Sequence, residues 1–99
     1  MKILVATEKP FAPVAIRQMR EVIEAAGFKI ELLENYKKPE ELAGAVSDAD
    51  ALIVRSDMVT SAVLDAAKQL KIVVRAGAGY DNLDLKACSE HNVIAMNTP

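Results

Sequence analysis

The chain alternates short apolar runs with segments whose apolar residues recur at helical spacing. The runs are Ile3-Leu4-Val5-Ala6, Ile30-Glu31-Leu32-Leu33, Ala51-Leu52-Ile53-Val54, Ile72-Val73-Val74 and Val93-Ile94-Ala95-Met96. The first, third and fourth are almost free of polar residues and rich in β-branched ones, which is typical of parallel strands buried on both faces. The second run carries a charge and predicts a strand nearer the edge of the sheet.

Four helices are predicted between these strands. From Val14 to Ala26 the apolar residues recur every three or four positions and form one stripe, made of Ile16, Met19, Val22, Ile23 and Ala26. Pro13 suits the first turn of this helix, and Gly27 suits its C-terminal stop. The predicted starts of the others are Pro39-Glu40-Glu41 for the second helix, Thr60 or Ser61 for the third, and Asp81 or Asn82 for the fourth. The fourth helix is predicted from about Leu83 to His91, with Asn92 as its left-handed stop.

This order of elements predicts an α/β fold of one domain. Strands and helices alternate as β-α-β-α-β-α-β-α-β over 99 residues, and right-handed crossovers then give a parallel sheet with helices on both faces. Among doubly wound arrangements we expect the flavodoxin-like strand order 2-1-3-4-5. Ligands of such sheets bind beyond the carboxyl ends of the strands, so the residues that follow each strand are the candidates for function.

Composition narrows the class of protein. Hydrophobic residues make up 52% of the chain, which is too many for a disordered segment, and the net charge of −2 argues against non-specific nucleic-acid binding. One Cys and one His allow neither an internal disulfide nor a histidine-cysteine metal cluster. The apolar run near the N-terminus is too short for a signal peptide, and none approaches a membrane span of about 20 residues. We therefore expect a soluble, cytoplasmic protein that binds neither membrane nor metal.

The segment from Arg75 to Asn82 is the most unusual part of the chain. Gly77 and Gly79 follow a buried strand and precede a helix, so backbone N–H groups in this turn can form a concave anion site. Arg55 ends the neighbouring strand, and two guanidinium groups beside such a turn suggest a small ligand with more than one negative charge. The spacing also fits a plain tight turn flanked by two surface arginines.

The sequence disfavours other nucleotide- or phosphate-binding classes of protein. A Gly-x-Gly-x-x-Gly fingerprint would need glycine where Asn82 stands, and no Gly-Lys-Ser/Thr of a P-loop occurs. A phospho-receiver domain needs an acidic cluster where Arg55 and Ser56 stand. An FMN domain needs a hydroxyl- and glycine-rich loop after the first strand, where Glu8 and Lys9 stand.

Three blocks of sequence carry a resemblance to a known family. They are Leu52-Ile53-Val54-Arg55-Ser56 with Val59-Thr60, the run from Val74 to Asp84 that reads VRAGAGYDNLD, and the run from Val93 to Pro99 that reads VIAMNTP. Over its whole length the chain resembles the N-terminal part of D-isomer-specific 2-hydroxyacid dehydrogenases. Arg75 favours the branch of this family that acts on 3-phosphoglycerate.

The resemblance implies that the chain holds half of an active site. Residues 1–99 would form the N-terminal segment of a split substrate-binding domain. The dinucleotide-binding domain and the catalytic Arg, Glu and His would lie beyond Pro99, so this chain alone would be inactive. A C-terminal return of the complete chain would cover part of this segment, so that an apolar patch is exposed without it.

The resemblance also assigns residues by position. The implied substrate-binding set is Arg55, Ser56, Arg75, Ala76, Gly77, Ala78 and Gly79. The two arginines would draw in the anionic groups of the substrate, and Ser56 would donate an auxiliary hydrogen bond. Backbone N–H groups of Ala76, Gly77 and Ala78 would hold the substrate carboxylate. The main chain of Ala78 would also approach the NAD cofactor, although this side chain lacks the hydroxyl that some relatives carry there.

The implied reaction is the oxidation of 3-phosphoglycerate to 3-phosphohydroxypyruvate by NAD, which leads to serine, in a homo-oligomeric complete enzyme. Two alternatives stay open: a sister enzyme that acts on glyoxylate, hydroxypyruvate or another 2-hydroxy acid, and a non-catalytic flavodoxin-like binding module. His91 falls at a predicted helix end and is expected to be structural. Cys88, Met19 and Met96 are expected to pack in the core.

Overall fold

Five strands and four helices alternate along the residues that the structure describes. The computed structural model describes residues 1–7, 12–34, 36–55, 57–76 and 83–97. The elements are β1 (Lys2–Thr7), α1 (Pro13–Ala25), β2 (Lys29–Glu34), α2 (Pro39–Val46), β3 (Ala51–Val54), α3 (Ser61–Ala66), β4 (Ile72–Arg75), α4 (Leu85–Glu90) and β5 (Ile94–Asn97). All strand pairs are parallel, and their order is β2-β1-β3-β4-β5. The predicted α/β fold, its strand order and the edge position of β2 are confirmed.

The core lies on one face of the sheet, beneath α2, α3 and α4. Leu4, Leu52 and Val73 are paired across β1, β3 and β4, and all three are fully buried. They contact helical residues of the same buried cluster, which are Leu42, Val46, Val63, Leu64, Ala87 and Cys88. The predicted core position of Cys88 is confirmed, since only 1% of it is exposed.

The opposite face of the sheet carries α1 and is only partly covered. Val5 and Ile23 are buried but do not belong to the main cluster, and a right-handed crossover from β1 to β2 places α1 on this second face. The same face continues across β4 and β5, where Ile94 is 62% and Met96 is 49% exposed. Ile72 and Val74 of β4 are only half-buried on this face, so the prediction that β4 is buried on both faces is wrong. The core position of Met96 is also wrong, because no described helix covers this side.

The apolar stripe of α1 is only partly buried. Ile23 is buried and Met19 is half-buried, whereas Val22 is 71% exposed. Among the described residues of this stripe, which lies over the β1–β2 end of the sheet, only Ile23 is thus buried. The predicted helix itself is confirmed, with Pro13 in its first turn and Gly27 at a φ of 84° just after its end.

The caps of the later helices were predicted correctly for α3 and wrongly for α4. The Thr60 hydroxyl accepts a hydrogen bond from the Val63 N–H at 3.4 Å. In α4 the cap is Asp84, whose carboxylate accepts from the Ala87 N–H at 2.9 Å, so this helix begins at Leu85. Leu83 instead forms an isolated parallel bridge with Val59, which keeps the chain extended up to the cap.

Two further observations complete the description of the fold. Asp81 and Asn82, the predicted caps of α4, lie outside the described residues. The predicted left-handed stop at Asn92 is confirmed by its φ of 58°. Across the part of the chain that the structure describes, no helix has the length and apolar character needed to cross a membrane.

Candidate functional site

The structure brings the two predicted arginines together at the carboxyl edge of the sheet. In the register of β3 with β4, Val54 lies opposite Arg75, and Arg55 follows Val54 directly. The Arg75 Nε–H group donates a hydrogen bond to the backbone carbonyl oxygen of Arg55 at 3.1 Å. Parallel strands present their carboxyl ends along one edge, so this contact follows from the topology.

The two arginine side chains bring positive charge and hydrogen-bond donors to this edge of the sheet. Arg55 is exposed and Arg75 is half-buried. A guanidinium group is always charged and presents a planar set of N–H donors that match a carboxylate or a phosphate. The Arg75 Nε–H group donates to the Arg55 carbonyl oxygen, and the N–H groups on the two terminal nitrogens of Arg75 are donors of the kind that binds such an anion. The arrangement therefore places two permanent positive charges at an edge of the sheet that is accessible to solvent.

Behind the arginines lies a buried polar pair that the sequence did not assign to the site. The Tyr36 hydroxyl donates a hydrogen bond to Oδ2 of Asp57, and the backbone N–H of Arg55 donates to Oδ1 of the same carboxylate at 3.3 Å. Tyr36 is 8% and Asp57 is 3% exposed. Asp57 follows β3 in a segment where function was expected, whereas Tyr36 carried no signal other than its place after β2.

Most of the glycine-rich segment that follows β4 lies outside the described residues. Ser56, Gly77, Ala78 and Gly79 lie outside the described residues, so their assigned roles stay predictions. Ala76 is described, and its N–H donates to the Val54 carbonyl at 2.7 Å, which extends the pairing of β3 with β4 by one residue. Because this amide is used by the sheet, the N–H groups of residues 77 and 78 become the main-chain candidates for an anion.

The single histidine lies at the other edge of the sheet. At the C-terminal end of α4, His91 Nδ1 is 2.8 Å from the Ala87 carbonyl oxygen, and Nε2 is 2.6 Å from Oδ1 of Asp65. It lines a cavity of about 390 Å³ between α3 and α4, together with Leu64, Asp65, Ala67, Lys68 and Leu70. This position supports the structural role predicted for His91. The histidine also lies at the edge of the sheet opposite the one that carries the arginines.

The single cysteine, Cys88, is buried in the core. Burial raises the pKa of the Cys88 thiol, and Asp84 raises it further, so the thiol stays protonated and is a poor nucleophile. Within the described ranges, no group of three or more His, Cys, Asp or Glu side chains could hold a metal ion. Arg55 and Arg75, at the carboxyl edge of the sheet, therefore stay the candidate site for a small anionic ligand.

Comparison with known proteins defines the class. The family model described as "D-isomer specific 2-hydroxyacid dehydrogenase, catalytic domain" matches residues 4–99. The chain therefore belongs to the D-isomer-specific 2-hydroxyacid dehydrogenase family, as its sequence motifs predicted.

Within this family, similar relatives carry one particular name. D-3-phosphoglycerate dehydrogenase of Sus scrofa is 44% identical over 81 residues, which are 81% of this chain and 15% of that protein. The enzyme of the same name from Methanocaldococcus jannaschii is 40% identical over an alignment that spans all of this chain and 18% of that protein. The chain thus spans less than a fifth of the length of these relatives.

A solved structure shows the same likeness in three dimensions. The NAD+-bound 3-phosphoglycerate dehydrogenase of Entamoeba histolytica superposes with a TM-score of 0.98 at 48% identity, and the match covers all of this chain and 33% of that one. The parallel sheet and its helices are therefore those of a dehydrogenase domain.

Proposed function

We propose that this chain is the N-terminal segment of the substrate-binding domain of an NAD-dependent D-3-phosphoglycerate dehydrogenase. The observation that carries the proposal is the contact between Arg75 and the backbone of Arg55 at the carboxyl edge of the sheet. This contact places two permanent positive charges where ligands of doubly wound sheets bind. The names of the pig, archaeal and amoebal relatives support the choice of substrate.

In this proposal the chain supplies binding and orientation. 3-Phosphoglycerate carries a carboxylate and a phosphate, and each can accept paired hydrogen bonds from a guanidinium group. Arg55 and Arg75 attract these groups, and the main-chain N–H groups of Gly77 and Ala78 hold the carboxylate, with Ser56 as an auxiliary donor. Fixing both ends of the substrate orients its C2 carbon for oxidation to 3-phosphohydroxypyruvate, a step towards serine.

The cofactor and the proton acceptor come from the remainder of the complete protein. When bound, NAD supplies the hydride acceptor for the oxidation of C2. The described residues fit a supporting role only, since they contain no dinucleotide fingerprint. The carboxylate beside the arginines, that of Asp57, is buried and accepts hydrogen bonds from Tyr36 and from the Arg55 N–H group. Cofactor contact from this chain is confined to the main chain of Ala78. The segment alone is therefore inactive in this proposal.

The uncovered face of the sheet supports the placement of this segment in a larger domain. Ile94 and Met96 are large apolar side chains exposed on β5, beside a half-buried Val74. An exposed apolar face of this kind is typical of a surface that another part of a protein covers. In the proposal, the C-terminal return of the complete chain provides that cover, in a cytoplasmic homo-oligomer.

The first test is a steady-state measurement on the complete protein that contains this segment. We expect NAD reduction with 3-phosphoglycerate and much weaker activity with D-glycerate, which lacks the phosphate. Arg55→Met and Arg75→Met should each raise the KM for 3-phosphoglycerate by roughly tenfold or more, since each removes a charge-assisted contact of about 1.5–3 kcal/mol.

A matched control and two alternative outcomes make this test decisive. Arg20→Met removes an equal charge from the exposed side of α1 and should leave the KM unchanged. If both site variants kept a normal kcat/KM, the anion role of the arginines would be wrong. Preference for glyoxylate, hydroxypyruvate or another 2-hydroxy acid would instead identify the sister enzyme. Absence of any strand and Gly-x-Gly-x-x-Gly in the coding sequence after Pro99 would favour a binding module without chemistry.

A further inference from the structure

The Tyr36–Asp57 pair connects loops that follow two different strands. Tyr36 lies after β2 and Asp57 after β3, and the end of β1 lies between them in the sheet. Thr7, the last residue of β1, is only 1% exposed, so the end of the intervening strand is buried like the polar pair. The pair therefore bridges the carboxyl edge across the width of one intervening strand.

The carboxylate of Asp57 also forms a hydrogen bond with the backbone of Arg55, which in turn binds Arg75. Its Oδ2 accepts from the Tyr36 hydroxyl, and its Oδ1 accepts from the backbone N–H of Arg55 at 3.3 Å. The carbonyl oxygen of that same residue accepts from Arg75 Nε at 3.1 Å. The N–H group of Arg55 thus donates to Asp57, and the carbonyl oxygen of Arg55 accepts from Arg75.

Because the Asp57 carboxylate is buried, the loss of a single hydrogen-bond donor is costly for it. A carboxylate that is 3% exposed has exchanged most of its water for protein donors, and loss of one donor leaves a costly buried oxygen. Removal of the Tyr36 hydroxyl takes one hydrogen-bond donor away from the Asp57 carboxylate, which also holds the backbone of Arg55. A shift of that backbone moves the carbonyl to which Arg75 is bound.

We propose that Tyr36 and Asp57 are positioning residues that set the direction of Arg55 and Arg75 towards the anionic substrate. This inference rests on the proposed function, because it assigns the arginines to substrate binding. Tyr36 and Asp57 themselves do not touch the substrate. They hold the backbone of Arg55 in the place from which its carbonyl oxygen accepts a hydrogen bond from the Arg75 Nε–H group.

The test compares four variants of the complete protein. Tyr36→Phe removes one hydroxyl with little change of volume, and Asp57→Ala removes the carboxylate. Asp57→Asn is the conservative variant, since its amide oxygen can still accept from the Arg55 N–H and its NH2 group can donate to the Tyr36 oxygen. The matched control is Asp50→Ala, because Asp50 also accepts a backbone N–H, that of Lys2 at 2.8 Å, but at the opposite edge of the sheet.

Two measurements are made on each variant: kcat and KM for 3-phosphoglycerate at saturating NAD, and hydrogen exchange of peptides that contain residues 55 and 75. Tyr36→Phe and Asp57→Ala should raise KM roughly tenfold while kcat changes less than about twofold, because displaced arginines weaken binding of the substrate without touching the reacting atoms. Both should speed exchange at residue 55. Asp57→Asn should restore most of the affinity, and Asp50→Ala should leave KM unchanged.

The outcomes separate this inference from the proposed function. If the unmodified protein fails to oxidise 3-phosphoglycerate, the proposed function is wrong, and hydrogen exchange then decides whether the pair holds the arginine backbone. Unchanged exchange at residue 55 in both Tyr36→Phe and Asp57→Ala overturns the inference whatever the activity. In an active enzyme, a KM within about twofold of the Asp50→Ala control also overturns it. Should Asp57→Ala fail to fold, Tyr36→Phe and Asp57→Asn still give the result.

Discussion

At the scale of single residues, His91 joins two helices through both of its ring nitrogens. Nδ1 faces the carbonyl oxygen of Ala87 in α4, and Nε2 faces the carboxylate of Asp65 in α3. Both partners are acceptors, so the arrangement favours the imidazolium form, which carries a proton on each nitrogen. The pKa of His91 is raised above its ordinary 6.5, first by the Ala87 carbonyl and then by Asp65.

This raised pKa predicts the direction of a pH dependence. A group whose pKa is higher in the folded state contributes stability below its unfolded pKa and loses that contribution as the pH rises through the folded pKa. The difference in Tm between the wild-type chain and His91→Gln should therefore be largest at about pH 5.5 and shrink at about pH 8.5. Thermal unfolding followed by circular dichroism across this range measures it.

Asp65→Asn serves as the partner control for this prediction. It keeps the shape of the side chain but removes the charge that favours the imidazolium, so its own Tm difference from wild type should fade over the same pH range. A His91→Gln difference that did not vary with pH would show that the two nitrogens contribute only neutral contacts.

The contact between the two arginines could be predicted from the sequence, whereas the contact between Tyr36 and Asp57 could not. Arg55 and Arg75 each follow a buried apolar run, so the topology of a parallel sheet was enough to predict that they meet. Tyr36 meets Asp57 across the end of β1, and that contact depends on the path of two loops. No periodicity in the chain encodes such a path.

At the scale of elements, the starts of α3 and α4 rest on side-chain caps of different quality. Thr60 accepts from the Val63 N–H at 3.4 Å, whereas Asp84 accepts from the Ala87 N–H at 2.9 Å and carries a negative charge at the positive end of the helix. Both helices have only six residues, so each cap serves a large share of their unpaired N–H groups.

The two caps should therefore differ in their contribution to stability. Asp84→Ala should lower the free energy of unfolding by about 1 kcal/mol, and Thr60→Ala by clearly less. Denaturant unfolding of the two variants beside wild type measures the difference. Asp84→Asn keeps an accepting oxygen and should cost less than Asp84→Ala. A larger loss from Thr60→Ala than from Asp84→Ala would contradict this comparison.

The start of α4 shows why element boundaries were less predictable than elements. Asp81, Asn82 and Asp84 are all suitable caps, and local sequence does not choose among them. The choice is made by the bridge between Leu83 and Val59, which joins residues 24 positions apart and keeps the chain extended before the helix. A tertiary contact thus decided where a locally ambiguous helix begins.

At the scale of the whole molecule, the two faces of the sheet are covered unequally. Three helices and a continuous buried cluster occupy one face, while α1 covers only part of the other. On that second face, Ile94 and Met96 expose large apolar side chains on the edge strand β5. An exposed apolar face next to an unpaired strand edge favours association with another surface.

We therefore expect the isolated 99-residue chain to self-associate through this face. The average mass of the wild-type chain in sedimentation experiments should rise with concentration. The double variant Ile94→Thr with Met96→Thr should reduce this rise, because threonine retains strand propensity but lowers the exposed apolar area. Leu85→Gln is the control, since Leu85 is also exposed, at 47%, but belongs to α4 over the other face. A mass that stayed monomeric at every concentration of the wild type would contradict this expectation.

The sequence by itself determined the order of the elements, the parallel sheet and the placement of two arginines at one edge. These features depend on periodicity and on the end of each strand, which neighbouring residues encode. Only the tertiary structure decided which sheet face lacks cover, where α4 begins, and that Tyr36 and Asp57 stand behind Arg55 and Arg75. Those features depend on contacts between residues distant in the chain, because burial and hydrogen-bond partners are set by packing rather than by local pattern.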